Sequence, residues 1–180
     1  MNTDNTSHRT RTVAVLFLAL LAAAAGLWWA STRETSPADT AERRAEVTER
    51  GAAVMPFDLT ATSHSFASTP AGGRQAVTAN NPFDTAQIRL IRDHLTAEAA
   101  KFTAGDFADP ATIHGEQMPG LAELKAGASR VTIRYEELPD GAALHYASTD
   151  LGMVDALHRW FEAQSSDHGT DHHAHDAGHP

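Results

Sequence analysis

The sequence predicts an α+β domain. Two ββα units form a four-stranded antiparallel sheet with helices packed on one face, preceded by an N-terminal transmembrane helix. Three observations carry this reading. Two hairpin-like alternating patterns each run into a segment with apolar residues three and four apart. An uncharged apolar run lies near the N-terminus. Polar stretches without a core pattern separate that run from the domain and close the chain.

Residues 13–30, VAVLFLALLAAAAGLWWA, hold no charged side chain. As a helix they span roughly 27 Å, close to the hydrocarbon thickness of a bilayer. Arg9 and Arg11 precede the run, and Trp28 with Trp29 end it like an interfacial belt. It is either a single-pass anchor, with residues 1–12 in the cytoplasm, or a signal peptide cleaved near the small residues 22–26. Both readings place the rest of the chain outside the cytoplasm, periplasmic or extracellular. Residues 31–53 lack an apolar stripe and read as a flexible tether.

The α+β domain is expected over residues 54–164. Residues 57–68 alternate weakly, 69–73 (TPAGG) turn the chain, and 74–79 return it around Val77. Asp84 caps a helix to about residue 103, with Ile88, Ile91, Leu95, Ala99 and Phe102 on one stripe. The central stretch 105–124, GDFADPATIHGEQMPGLAEL, is rich in glycine and proline and reads as irregular until a short helix near 120–126. Val131, Ile133 and Tyr135 alternate, Pro139-Asp140-Gly141 turns, and Leu144 and Tyr146 alternate back. A last helix, about 150–164, buries Leu151, Val154, Leu157 and Phe161. GGRQAVTAN followed by QIRLIRDHL echoes DGAALHYAS followed by MVDALHRWF, as an internal duplication would, although short ββα units also converge. Residues 165–180 have no core residues and read as a disordered His-rich tail.

The net charge of −9 argues against a nucleic-acid surface, which needs a basic footprint. With no cysteine, disulfides, thiolate metal sites and thiol catalysis are all excluded. Eleven histidines are the compositional outlier. The tail places His168, His172, His173, His175 and His179 among three aspartates, and imidazole suits copper, nickel and zinc. Within the domain, His64 shares strand parity with Phe66, and His158 falls in the last helical stripe. His94 flanks the first stripe with Glu98 one turn on, where a carboxylate can orient an imidazole. His114 and Met118 stand four apart in the central stretch, and imidazole with thioether suits copper, or haem as an axial pair. Against these stands the ordinary outcome that a half-buried histidine is simply hydrogen-bonded and a methionine simply fills the core.

No Walker loop, GxGxxG, HExxH or GxSxG occurs. Asp106, Asp109 and Glu116 near His114 are the one cluster from which an acid–base pair could come.

The run HLTAEAAKFTAGDFADPATIHGEQMPGL, with ALHRWFEAQSSDHG near the end, resembles an uncharacterised bacterial membrane-anchored or exported family with a GDFxDPxxIHGxxMPGL motif. The resemblance covers about residues 54–169. Members sometimes carry an aspartate carbamoyltransferase label, which the motifs here do not support. That enzyme's catalytic chain is a larger two-domain α/β protein with a Ser-Thr-Arg-Thr-Arg phosphate motif. Ser31-Thr32-Arg33-Glu34-Thr35 matches it only in part, beside the apolar run.

Two functions stay open. One is an extracytoplasmic, membrane-anchored protein that binds a transition metal, copper above nickel or zinc. The other is a small enzyme or organic-ligand-binding module whose site is the central 105–124 loop.

Overall fold

The computed structural model describes residues 37–168. Its elements are α1 (Pro37–Val54), β1 (Thr62–Thr69), β2 (Gly72–Ala79), α2 (Thr85–Thr103), α3 (Ala108–His114), α4 (Leu121–Gly127), β3 (Thr132–Leu138), β4 (Gly141–Ala147) and α5 (Leu151–His168). The predicted membrane run 13–30 lies outside the described residues. No helix among those described is long and apolar enough to cross a membrane.

The four strands form one antiparallel sheet in the order β1-β2-β4-β3. Each hairpin thus gives its second strand to the centre. Residues directly opposite in an antiparallel ladder point the same way. The register Phe66–Gln75–Leu144–Tyr135 therefore defines one face, with His64, Val77 and Tyr146 on it. That face meets the helices. Phe66 and Tyr146 pack on Phe161, Tyr146 on Trp160, and Val77 and Leu144 join Ile91 and Leu95 in the core. The other face carries Ser65, Arg74, Glu136 and His145, with His145 Nε2 2.6 Å from Glu136 Oε2. Gly73 is fixed by the packing: a Cβ there would enter the Phe161 ring.

The helix caps follow the sequence. Asp84 accepts from Gln87 N at 3.1 Å and opens α2. Asp150 accepts from Gly152 N at 2.8 Å and opens α5. Ile88, Ile91, Leu95 and Phe102 are all buried, as their spacing predicts.

Four readings need correction. Leu151, expected on the buried stripe of the last helix, is exposed at its first position, and Met153 and Trp160 are buried on that helix instead. Residues expected to be tether are helical as α1, whose Val47 and Gly51 are buried. Its alanines, glutamates and arginines favour helix, and two buried positions four apart suffice to seat it. The central stretch is not irregular up to residue 120: an unforeseen short helix, α3, precedes the short helix expected near 120–126, which is α4. Gly105 (φ +83), Gly115 (φ +93) and Gly120 (φ +79) supply the reversals of the stretch. The boundary at 165 is also displaced: α5 continues through His168, and Asp167 is buried.

Candidate functional site

Four histidines from four elements surround one small cavity between the sheet and the helices: His64 of β1, His94 of α2, and His114 and His168 at the C-terminal ends of α3 and α5. The cavity holds about 30 Å³, and Gln164 and Trp160 of α5 share its wall with Phe66 and Glu98. The His64 and His168 rings stack at 5.2 Å between centroids, 11° from parallel. His168 meets His114 edge-on at 5.1 Å. His94 lies farther along, edge-on to Phe57 at 5.6 Å.

His114 is the most firmly placed. Its Nδ1 lies 2.8 Å from Asp167 Oδ2. Asp167 also accepts from Arg43 Nε and an Arg43 terminal nitrogen, both at 2.6 Å. Arg43 donates again to the His114 carbonyl at 3.1 Å. Burial alone would raise the Asp167 carboxyl, but these donors hold it below its ordinary range. With Asp167 anionic, Nδ1 carries the hydrogen and Nε2 of His114 keeps its lone pair.

Burial dominates the imidazoles. Desolvation, then the neighbouring His168, drives His64 down to about 3. Desolvation, then His114, drives His168 to about 4. Burial also lowers His114 against the pull of Asp167, and lowers His94. All four are thus neutral at pH 7, the form that ligates metals.

The polar inventory of the cavity is incomplete. His64 Nε2, Trp160 Nε1 and Gln164 Oε1 are buried without a hydrogen-bond partner. Such atoms are rare in folded proteins and are ordinarily met by water, an ion or a ligand. Glu98 does not orient His94 as its spacing predicts. It lies 2.9 Å from Lys101 Nζ, which also reaches Asp109 at 2.7 Å. Burial first, then the shared contact with Asp109, raises the Glu98 carboxyl to about 7.

Of the predicted ligands, His64, His94, His114 and His168 come together. His158 does not: its Nε2 donates to the Thr69 carbonyl at 2.9 Å and ties α5 to the first hairpin turn. Met118 is buried in the apolar core and does not line the histidine cavity, although it lines a separate, more open cavity together with His114. His172, His173, His175 and His179 lie outside the described residues. Among the described residues, no three His, Asp or Glu side chains converge as a metal cage.

Sequence reasoning missed Arg43, Trp160 and Gln164, and placed Asp167 in the tail rather than beside His114. Arg43 and Asp167 lay in segments read as unstructured. Val47 and Gly51, four apart, were the available sign that the first of these was helical. No family model matches the chain, and neither a curated protein nor a solved structure matches it.

Proposed function

We propose that the protein binds a transition-metal ion, copper above all, in the cavity where His64, His114 and His168 meet. The observation that carries this is the run of ring contacts from His64 through His168 to His114 along one cavity, with His64 Nε2 buried and without a partner. Several further points support it. A carboxylate that fixes the Nδ1–H of one imidazole, and is itself held by an arginine, is the outer arrangement usual around metal-bound histidines. The cavity of about 30 Å³ suits an ion with at most a water, whereas organic-ligand pockets run to about 300–1,000 Å³. Met55 lines the same cavity and offers a soft thioether, which favours Cu(I).

Two imidazoles suffice for a two-coordinate cuprous ion. The stacked His64 and His168 rings need a side-chain rotation to aim lone pairs at a common point, and a third donor then closes the site. In this reading residues 13–30 hold the domain at the outer side of a membrane, and the tail histidines gather metal for it. Members of the resembling family would share the inner site, since the motif supplies Asp109, Ile113 and His114 to its wall.

A second reading rests on the His114–Asp167 pair, which is also how a general base is oriented. Glu98 would then be its acid partner across the cavity, with the central stretch contributing Asp109 and His114.

Copper titration of a chain ending at His168 separates the two. The metal reading predicts one equivalent bound, lost in His64→Phe and in His114→Ala. Failure to take up any copper would leave the acid–base reading.

A further inference from the structure

A second cavity abuts the first. It holds about 170 Å³ and shares Met55, His64, Ile113 and His168 with the histidine cavity. Its outer wall is α1, through Val47, Thr48 and Gly51, and its floor includes Leu59 from the turn before β1. The size is telling. A cavity of about 150 Å³ accommodates benzene. No aspartate, glutamate, lysine or arginine lines this one, so no fixed charge there compensates an ionised ligand.

The hydroxyl groups narrow the chemistry further. Four line the cavity: Thr48, Thr60, Thr62 and Ser63. Each has already committed its hydrogen. Thr48 donates to the Arg44 carbonyl at 2.8 Å and Thr60 to Asp58 Oδ1 at 2.7 Å. Thr62 donates to the Asp58 carbonyl at 3.0 Å and Ser63 to Asn80 Oδ1 at 2.6 Å. A hydroxyl has one hydrogen and two lone pairs, so these four offer acceptors only. A ligand that satisfies them brings its own donor. Among the described residues no carboxylate is hydrogen-bonded to His64 or His168 to fix its tautomer, so a group that both donates and accepts suits them in either form.

We propose that this cavity is a binding site for a small uncharged ring compound bearing a hydroxyl group, of the size and chemistry of phenol. The apolar side chains Val47, Met55, Leu59 and Ile113 receive the ring, and the hydroxyl donates to the acceptor-only rim. The site is distinct from the proposed metal site and does not depend on it, although both touch His64 and His168.

Calorimetric titration of phenol into the full chain, freed of metal by a chelator, tests the proposal. The expected result is saturable binding at one equivalent. Toluene lacks the donor and benzoate is ionised, and each binds at least about tenfold more weakly, a loss of about 1.4 kcal/mol. Thr48 and Thr60 are exposed on the rim, so Thr48→Phe and Thr60→Phe fill the mouth without entering the core. Each weakens phenol binding at least about tenfold while the melting temperature stays as in the parent. If one variant unfolds, the other decides. Phenol binding without saturation, benzoate or toluene binding as tightly, or binding unchanged in both folded variants would overturn the assignment. Copper uptake, measured separately, stands or falls without reference to these outcomes.

Discussion

Replacing His168 with Phe in the metal-free protein should make the domain less sensitive to acid. In the folded chain desolvation holds His168 at about 4, against about 6.5 for an exposed imidazole. Below pH 6.5 the unfolded chain therefore binds a proton that the folded chain refuses, and stability falls with pH until about 4. The contribution is fully present above pH 6.5 and is lost across the window from 6.5 to 4. Integrating from pH 7 to pH 5 gives a loss of about 2 kcal/mol from this residue. Phenylalanine has no proton to gain, and its ring can keep the stacking on His64 and Phe66. The variant should lie within about 1 kcal/mol of the parent at pH 7 and gain about 2 kcal/mol relative to it at pH 5. Titrating groups not coupled to His168, the raised Glu98 among them, cancel in this difference, while His64, which His168 pushes down, is relieved in the variant and shifts the difference in the same direction. Urea titrations of both proteins at the two pH values supply the four free energies. Parallel pH dependences would show that His168 titrates as an exposed imidazole, and the electrostatic picture of the cavity would fail.

Leu95→Ala should cost about 2–5 kcal/mol in a urea titration, because Leu95 is wholly buried between α2 and the sheet. A cost below about 1 kcal/mol would mean that α2 presents another face. Asp167→Asn frees His114 Nδ1 from its anion and removes the anionic partner of Arg43. Copper affinity should drop by roughly 10–100-fold, measured by competition with a chromogenic chelator. An unchanged affinity would remove the Asp167–His114 pair from the metal reading.

The elements with a clear period were legible in the sequence, and those without one were not. Ile88, Ile91 and Leu95 announced α2, and Pro139-Asp140-Gly141 announced the second hairpin, because apolar period and turn chemistry act locally. Helix α1 was hidden because only Val47 and Gly51 of its residues are buried. Its other ties are polar and distant in sequence, such as Arg43 to Asp167 and Arg44 to the Ser166 carbonyl. The same distance concealed the site. Strand parity placed His64 inward correctly, yet nothing local says that His168, read as tail, stacks on it. His158 shows the converse. It shares the α5 stripe region with Leu157 and Phe161, but half a turn separates it from the cavity wall formed by Trp160 and Gln164, and it serves the hairpin turn instead.

The central claim is that neutral imidazoles of the fold, not the tail, hold the metal. X-ray absorption at the copper edge addresses it directly, using the chain ending at His168 loaded with one equivalent of Cu(I). Copper held in the fold should give the outer-shell scattering of at least two imidazole rings, lost when His64 and His168 are both changed to Phe. A spectrum without imidazole scattering, or one that survives the double substitution, would contradict it.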